Sequence, residues 1–254
     1  MGAPSKHYFE RMGLFKVLGL NTGITVTEHD PSGRFVPLTQ IRNSQELSIF
    51  IKEVIPLLHL SQEHAEPISY IVSELVRNVL EHAQTEQGAF VAAQYYKKSN
   101  TIRLGICDGG IGITKSIQGS HHVTNDLQAV RMALTPGITG TTAREGGTEQ
   151  NAGAGLFFVK SIAAVNRDFF GIYSGTAFYK LLRQHDTGGL QADPFSDRCT
   201  LRNDLPYWKG VVVGIDMKLD EHERFTSLLS HIRSVYAKAI RDRKQMRYKQ
   251  PKFT

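Results

Sequence analysis

Two short runs of alternating character, joined by a polar turn and closed by a burst of glycine, limit this chain's fold more than any other feature. Ala89 to Tyr96 and Thr101 to Cys107 flank Lys97-Lys98-Ser99-Asn100, a pattern that predicts two antiparallel strands in a hairpin. The second run ends at Asp108 and passes into Gly109, Gly110 and Gly112, where bare backbone can turn tightly and come close to a ligand. A carboxylate fixed at such a turn can accept hydrogen bonds from an exocyclic amine. Taken alone, Asp-Gly-Gly-Ile-Gly is also an ordinary turn.

Upstream of the hairpin, Ile68, Ile71, Val72, Leu75, Val76 and Val79 recur at the spacing of one apolar helix stripe. Pro67 is expected in the first turn of that helix, where a missing N–H costs nothing. On the flanking stripe Glu74, Asn78 and either Glu81 or His82 lie about one turn apart, so a carboxylate and a carboxamide converge on one small volume. The Asn78 oxygen suits magnesium, which keeps several waters and takes other ligands from phosphates. Glu74 is placed to orient or deprotonate a water or hydroxyl near a terminal phosphate. A solvated helix face would look the same in sequence.

Downstream, Gly153-Ala154-Gly155 opens Leu156 to Val165, an apolar run long enough for a buried helix. Glycines before a helix start leave backbone N–H groups free, and these favour anionic phosphate. A glycine-rich connector is the plainer alternative. The run is not GxGxxG in a parallel strand-turn-helix unit, and no GxxxxGK[ST] occurs, so neither a Rossmann site nor a P-loop is expected.

In chain order, the residue 74–82, 108–112, 153–156 and 175–178 patches resemble the GHKL superfamily of ATPases and kinases, with its Bergerat nucleotide-binding fold. The resemblance spans roughly Ser44 to Leu219. Ser73 to Ala83 is similar to the N-box, most of all to the form found in bacterial anti-sigma-factor kinases and histidine-kinase-like ATPase domains. Asp108 to Gly112 resembles the G1 box, Gly153 to Leu156 the G2 box, and Gly175-Thr176-Ala177-Phe178 a late strand motif. The resemblance implies ATP and magnesium as ligands, Glu74 as general base and Asn78 as the magnesium ligand. It implies Asp108 as the adenine reader with Gly110 and Gly112 beside it. Gly153, Gly155 and Leu156 would form the phosphate loop, Thr176 would support the adenine site, and His82 would border the nucleotide. A mobile lid would run from about Thr114 to Ala152.

Departures from that pattern bear on mechanism. Where many kinases of the superfamily carry Lys or Arg three residues after the N-box asparagine, this chain has Glu81, which would repel phosphate. His82 or a lid residue such as Arg144 is expected to supply positive charge instead. No dimerising helix with a phosphoacceptor histidine is evident before the domain. Glu74 rather than asparagine leans toward hydrolysis or phosphoryl transfer to serine.

The rest of the chain fits one α+β domain with additions: a two-layer sandwich, its mixed, mostly antiparallel sheet covered by helices on one face. Residues 1–43 read as an extension or small cap with strands at Ile24 to Glu28 and Arg34 to Ile41, and residues 44–219 as the ATP-binding domain. Ser44 is expected to cap a helix reaching about Leu60. Phe169 to Ser174 and Ala177 to Arg183 read as a strand pair, Gln184 to Tyr207 as a polar insertion, and Val211 to Met217 as a final buried strand. Cys107 and Cys199 share no metal-type spacing and suggest a reducing compartment. No signal pattern and no run of about 18 apolar residues is present, so a cytoplasmic protein without a transmembrane segment is expected.

Residues 220–254 read as a basic helical tail. From His231 to Thr254, eight Lys and Arg face Asp242 alone, so this stretch holds more than the whole net charge of +6. Such a tail can touch phosphate backbones, but no nucleic-acid motif accompanies it, and a solvated helix is the favoured reading. Two functions are therefore expected: an enzyme that hydrolyses ATP or phosphorylates a protein serine, or an ATP-gated switch acting through a protein partner or homodimer.

Overall fold

The computed structural model describes residues 3–25, 31–143, 146, 153–182, 189–219 and 225–249. Seven strands form one sheet in the order β1-β2-β3-β7-β4-β5-β6, and every pairing is antiparallel. They are β1 (Phe35–Ile41), β2 (Ala89–Tyr96), β3 (Thr101–Cys107), β4 (Phe170–Gly175), β5 (Ala177–Leu181), β6 (Cys199–Arg202) and β7 (Trp208–Lys218). The fold is the expected α+β two-layer sandwich, with an antiparallel rather than a mixed sheet.

Period-two alternation sets the layers. Ala89, Val91 and Ala93 of β2, Ile102, Leu104 and Ile106 of β3, Val213, Ile215 and Met217 of β7, and Phe170 and Ile172 of β4 are all buried. They face α4 (Gln62–His82), α5 (Gly112–Gln118), α6 (Asp126–Ala133) and α7 (Gly155–Val165). The six apolar side chains of α4 named from sequence are all buried, each worth roughly 1.5–3 kcal/mol. On the opposite face, the Arg103 guanidinium makes two hydrogen bonds, 2.8 and 2.9 Å, to Asp216. The N-terminal helix α1 (Ala3–Arg11) reaches that face through Tyr8, whose hydroxyl donates to Gln94 at 3.0 Å.

The β2–β3 hairpin forms with Tyr96 opposite Thr101, and Asn100 takes the left-handed conformation at φ 43° that ends the turn. Other boundaries differ from the sequence pattern. Helix α4 begins at Gln62, so Pro67 lies within it rather than in its first turn and the helix forgoes one N–H donor there. Asn43, not Ser44, caps α3 (Ser44–Ile49), its side chain accepting from the Glu46 amide at 2.9 Å. The helix beyond α3 widens into a π turn at Phe50–Val54 and tightens to 3-10 geometry at Ile55–Leu58, around Pro56. Within the polar insertion, β6 pairs with β5 as an edge strand. Residues 35–41 are the opposite edge, and Ile24 and Thr25 are not in a strand; the rest of that expected strand lies outside the described residues.

Strand β7, last in sequence, sits at the centre between β3 and β4. Its register with β4 shifts between Ser174 and Gly175, beside Gly210, and that irregular end of the sheet adjoins Asp108. The C-terminal helix α8 (Phe225–Lys249) is not free in solvent along its length, as the favoured reading of the tail had it. Leu228, Leu229 and Ile232 are buried, and Tyr236 contacts the rings of Phe157 and Phe158 on α7.

Candidate functional site

One face of α4, the turn after β3 and the start of α7 enclose a cavity of about 300 Å³. That is the low end of the range for small-molecule sites. Glu74, Asn78, Glu81 and His82 line it from α4, Asp108 and Gly112 from the turn, and Gly153, Gly155 and Leu156 from the start of α7. Ile106, Ile113 and Val213 add apolar wall. Nine of the ten residues singled out from sequence are thus at or beside one volume.

At the α7 end, the backbone of Gly155 lies directly over the α4 stripe. A Cβ built there would stand 2.8 Å from Glu74 Oε2 and 3.4 and 3.6 Å from the two amide atoms of Asn78. A side chain there would displace the Glu74 carboxylate from its present place beside Asn78. The Asn78 Nδ2 position is buried and has no hydrogen-bond partner. The unpaired Nδ2 is a donor that an acceptor oxygen of a ligand would complete, while Asn78 Oδ1 and the Glu74 carboxylate are the oxygens a hard cation would use. No described group of three or more His, Cys, Asp or Glu side chains is placed to hold a metal ion, so magnesium here would depend on water and ligand oxygens. Gly153 adopts φ 63°, and a Cβ on it would press to 2.4 Å from the Ile138 carbonyl oxygen. That position needs glycine for both reasons.

At the other end, Asp108 is 2% exposed, and its Oδ1 accepts from the Gly110 amide at 2.8 Å. Burial pushes its carboxyl above the ordinary carboxylate range, partly offset by that amide. Gly110 packs behind the cavity, where a Cβ would meet the Ala83 carbonyl oxygen at 2.2 Å. The turn is tied to the sheet by Ser174, which sequence reading passed over. Its hydroxyl accepts from the Ile113 amide at 2.9 Å and donates to the Gly210 carbonyl at 2.7 Å.

The structure does not bring Thr176 to this cavity. Its amide and hydroxyl both donate to Asp126 Oδ2, at 2.8 and 2.9 Å, while Thr114 donates to Oδ1 at 2.5 Å. Thr176 therefore fastens the β4–β5 turn to the start of α6. Burial holds the His82 ring below the ordinary histidine value, partly offset by Glu81, whose carboxylate lies 3.9 Å from Nε2, so burial works against the positive charge expected of it. Arg144 lies outside the described residues. The expected lid begins with α5 and α6, whose Ile117, Ala129 and Val130 belong to the core, and residues 144–145 and 147–152 of it lie outside the described residues. Between these parts Ile138, Thr139 and Gly140 form a wall of the cavity, and the Gly137 amide donates to Gly153 at 2.9 Å. His121 Nε2 lies 3.1 Å from the Thr139 carbonyl oxygen, which ties the segment after α5 to this wall.

Charge in the cavity is lopsided. Glu74, Glu81 and Asp108 face Arg77, the one Lys or Arg among the residues lining it. Burial raises the Glu74 carboxyl above its ordinary value, the Arg77 charge lowers it, and Glu81 raises it further. No family model matches the chain, and no curated protein matches it in sequence. No described helix is long and apolar enough to cross a membrane.

Proposed function

We propose that this protein is a GHKL-type domain that binds magnesium-ATP and either hydrolyses it or passes its terminal phosphoryl group to a protein serine. The observation that carries the reading is the contact of Gly155 with Glu74 and Asn78. It puts open backbone amides, a half-buried carboxylate and an unsatisfied carboxamide at one end of a cavity that has a buried carboxylate at the other. Asp108 accepts from the adenine amino group, and the amides at the start of α7 take the phosphates. Asn78 would hold magnesium, which would supply positive charge against the phosphates. Glu74 accepts the proton of the attacking water or serine hydroxyl while the new P–O bond forms and the bond to the bridging oxygen of ADP breaks. Its raised basicity favours that proton transfer. A cytoplasmic setting belongs to the same proposal, and binding of nucleic acid by α8 does not.

One observation favours a second reading, an ATP-gated switch with little turnover. Helix α8 abuts the candidate lid: the side chain of Ile240 comes within 2.8 Å of where a Cβ on Gly137 would lie, and Arg243 donates to the Pro136 carbonyl. Closure over a nucleotide would then reach a partner or a second copy through α8. Release of phosphate from γ-labelled ATP, compared between the native chain and Glu74→Ala, separates the two. The enzyme reading requires turnover that the variant loses; ligand-dependent association that survives Glu74→Ala, without turnover in either protein, assigns the switch.

A further inference from the structure

We propose that Arg77 is the group that distinguishes a nucleoside triphosphate from a diphosphate in this cavity. The inference rests on the nucleotide reading above and adds to it a residue that the sequence comparison with the superfamily did not pick out. Arg77 lies one helical turn after Glu74 on α4, lines the cavity with it, and its charge acts on the Glu74 carboxyl, the group that Gly155 meets. Glu81 occupies the position where many kinases of the superfamily carry Lys or Arg, burial disfavours a charge on His82, and no other Lys or Arg among the described residues lines the cavity.

The guanidinium is held by no carboxylate: among the described residues Arg77 makes no ion pair within 4 Å, it is exposed, and its charge reaches Glu74 only at longer range. Arg103, Arg131 and Arg202 are by contrast each held by both oxygens of one carboxylate, Asp216, Asp193 and Asp204. A planar fork left open in the cavity that Gly153 and Gly155 also line would match two oxygens of a terminal phosphate. The diphosphate, lacking that group, leaves Arg77 without a partner while Glu74 and Glu81 still repel. The expected consequence is a preference for ATP over ADP of tenfold or more that depends on this side chain.

Titration of the full chain with magnesium-ATP, magnesium-ADP and AMP tests this in the native protein, Arg77→Gln and Arg77→Lys. The native protein is expected to favour ATP by at least tenfold. Arg77→Gln is expected to abolish the preference while leaving AMP affinity within about twofold, and Arg77→Lys to restore it only in part, since a point charge cannot make the bidentate contact. Because Arg77 is exposed, unchanged thermal unfolding of both variants is expected. An ATP-to-ADP ratio unchanged in Arg77→Gln, or no preference in the native protein, overturns the assignment while leaving the nucleotide pocket standing. No binding of any of the three nucleotides overturns both.

Discussion

Gly155 and Glu74 approach so closely that a single added methyl group would lie 2.8 Å from the carboxylate oxygen. The contact joins the start of α7 to the site stripe of α4, so a Cβ at position 155 would push the Glu74 carboxylate out of its place in the site without disturbing the helix. Alanine at the first position of α7 would otherwise favour the helix by up to about 1 kcal/mol. Gly155→Ala is therefore expected to leave thermal stability unchanged or slightly higher while weakening magnesium-ATP at least tenfold. Calorimetric titration alongside thermal unfolding reads both, and undiminished affinity would remove the contact from the account.

Asp108 gives a prediction with a definite pH sign. Its folded-state carboxyl sits above the ordinary value because of burial, so ionised Asp108 costs stability at neutral pH. That cost is absent below the unfolded value and is incurred as pH rises through the folded one. Asp108→Asn, which keeps an acceptor for the Gly110 amide, should stabilise the fold at neutral pH by about 0.5–2 kcal/mol. The gain should shrink toward zero as the pH falls through the carboxylate range. Urea unfolding of both proteins across that range measures it, and a destabilised variant at neutral pH would contradict the sign.

Lys160 is fully buried on α7, 2.5 Å from Asp197, and Asp197 is also 3.3 Å from the Tyr179 hydroxyl. This cluster fastens the insertion before β6 to the helical layer, together with the Arg131–Asp193 pair. Removing one partner strands the other charge in an apolar setting. Lys160→Met is expected to cost about 3–5 kcal/mol, and adding Asp197→Leu to return most of it. Equilibrium unfolding in urea tests both, and a double variant no better than the single one would show that the pair is not an isolated charge compensation.

Helix α8 is expected to steady the wall of the cavity. Ile240 lies against Gly137 and Gly146, and Arg243 donates to the Pro136 carbonyl. Ile240→Ala should speed amide hydrogen exchange of Gly137, whose N–H is bonded to the Gly153 carbonyl, while leaving the β2–β3 hairpin unchanged. Equal protection of Gly137 in both proteins would mean that the contact transmits nothing.

The parts of the fold legible in sequence were those whose signal is local. Alternation and a four-residue turn located β2 and β3 to the residue, and the apolar stripe located the buried face of α4. What stayed hidden depends on partners far along the chain. Pro67 looks like a helix start because the preceding turn, from Gln62, carries no apolar repeat. Strand β6 is half-exposed and polar, and only pairing with β5 makes it a strand. Thr176 follows a glycine in a motif that resembles a nucleotide box, yet Asp126, fifty residues earlier, claims its hydroxyl and amide. Arg77 on a helix flank looks like any solvated charge until the cavity's other charges are seen to be acidic.

On the proposed reading, Asp108 and the Gly153–Gly155 end of α7 bracket an adenine nucleotide. Calorimetric titration of the native chain with ATP in magnesium, against Asp108→Asn under the same conditions, tests it most directly. Saturable binding in the native protein, weakened at least tenfold in a folded Asp108→Asn variant, is the predicted result. No heat in the native protein and no competition by ADP, or equal affinity in the two proteins, would contradict it.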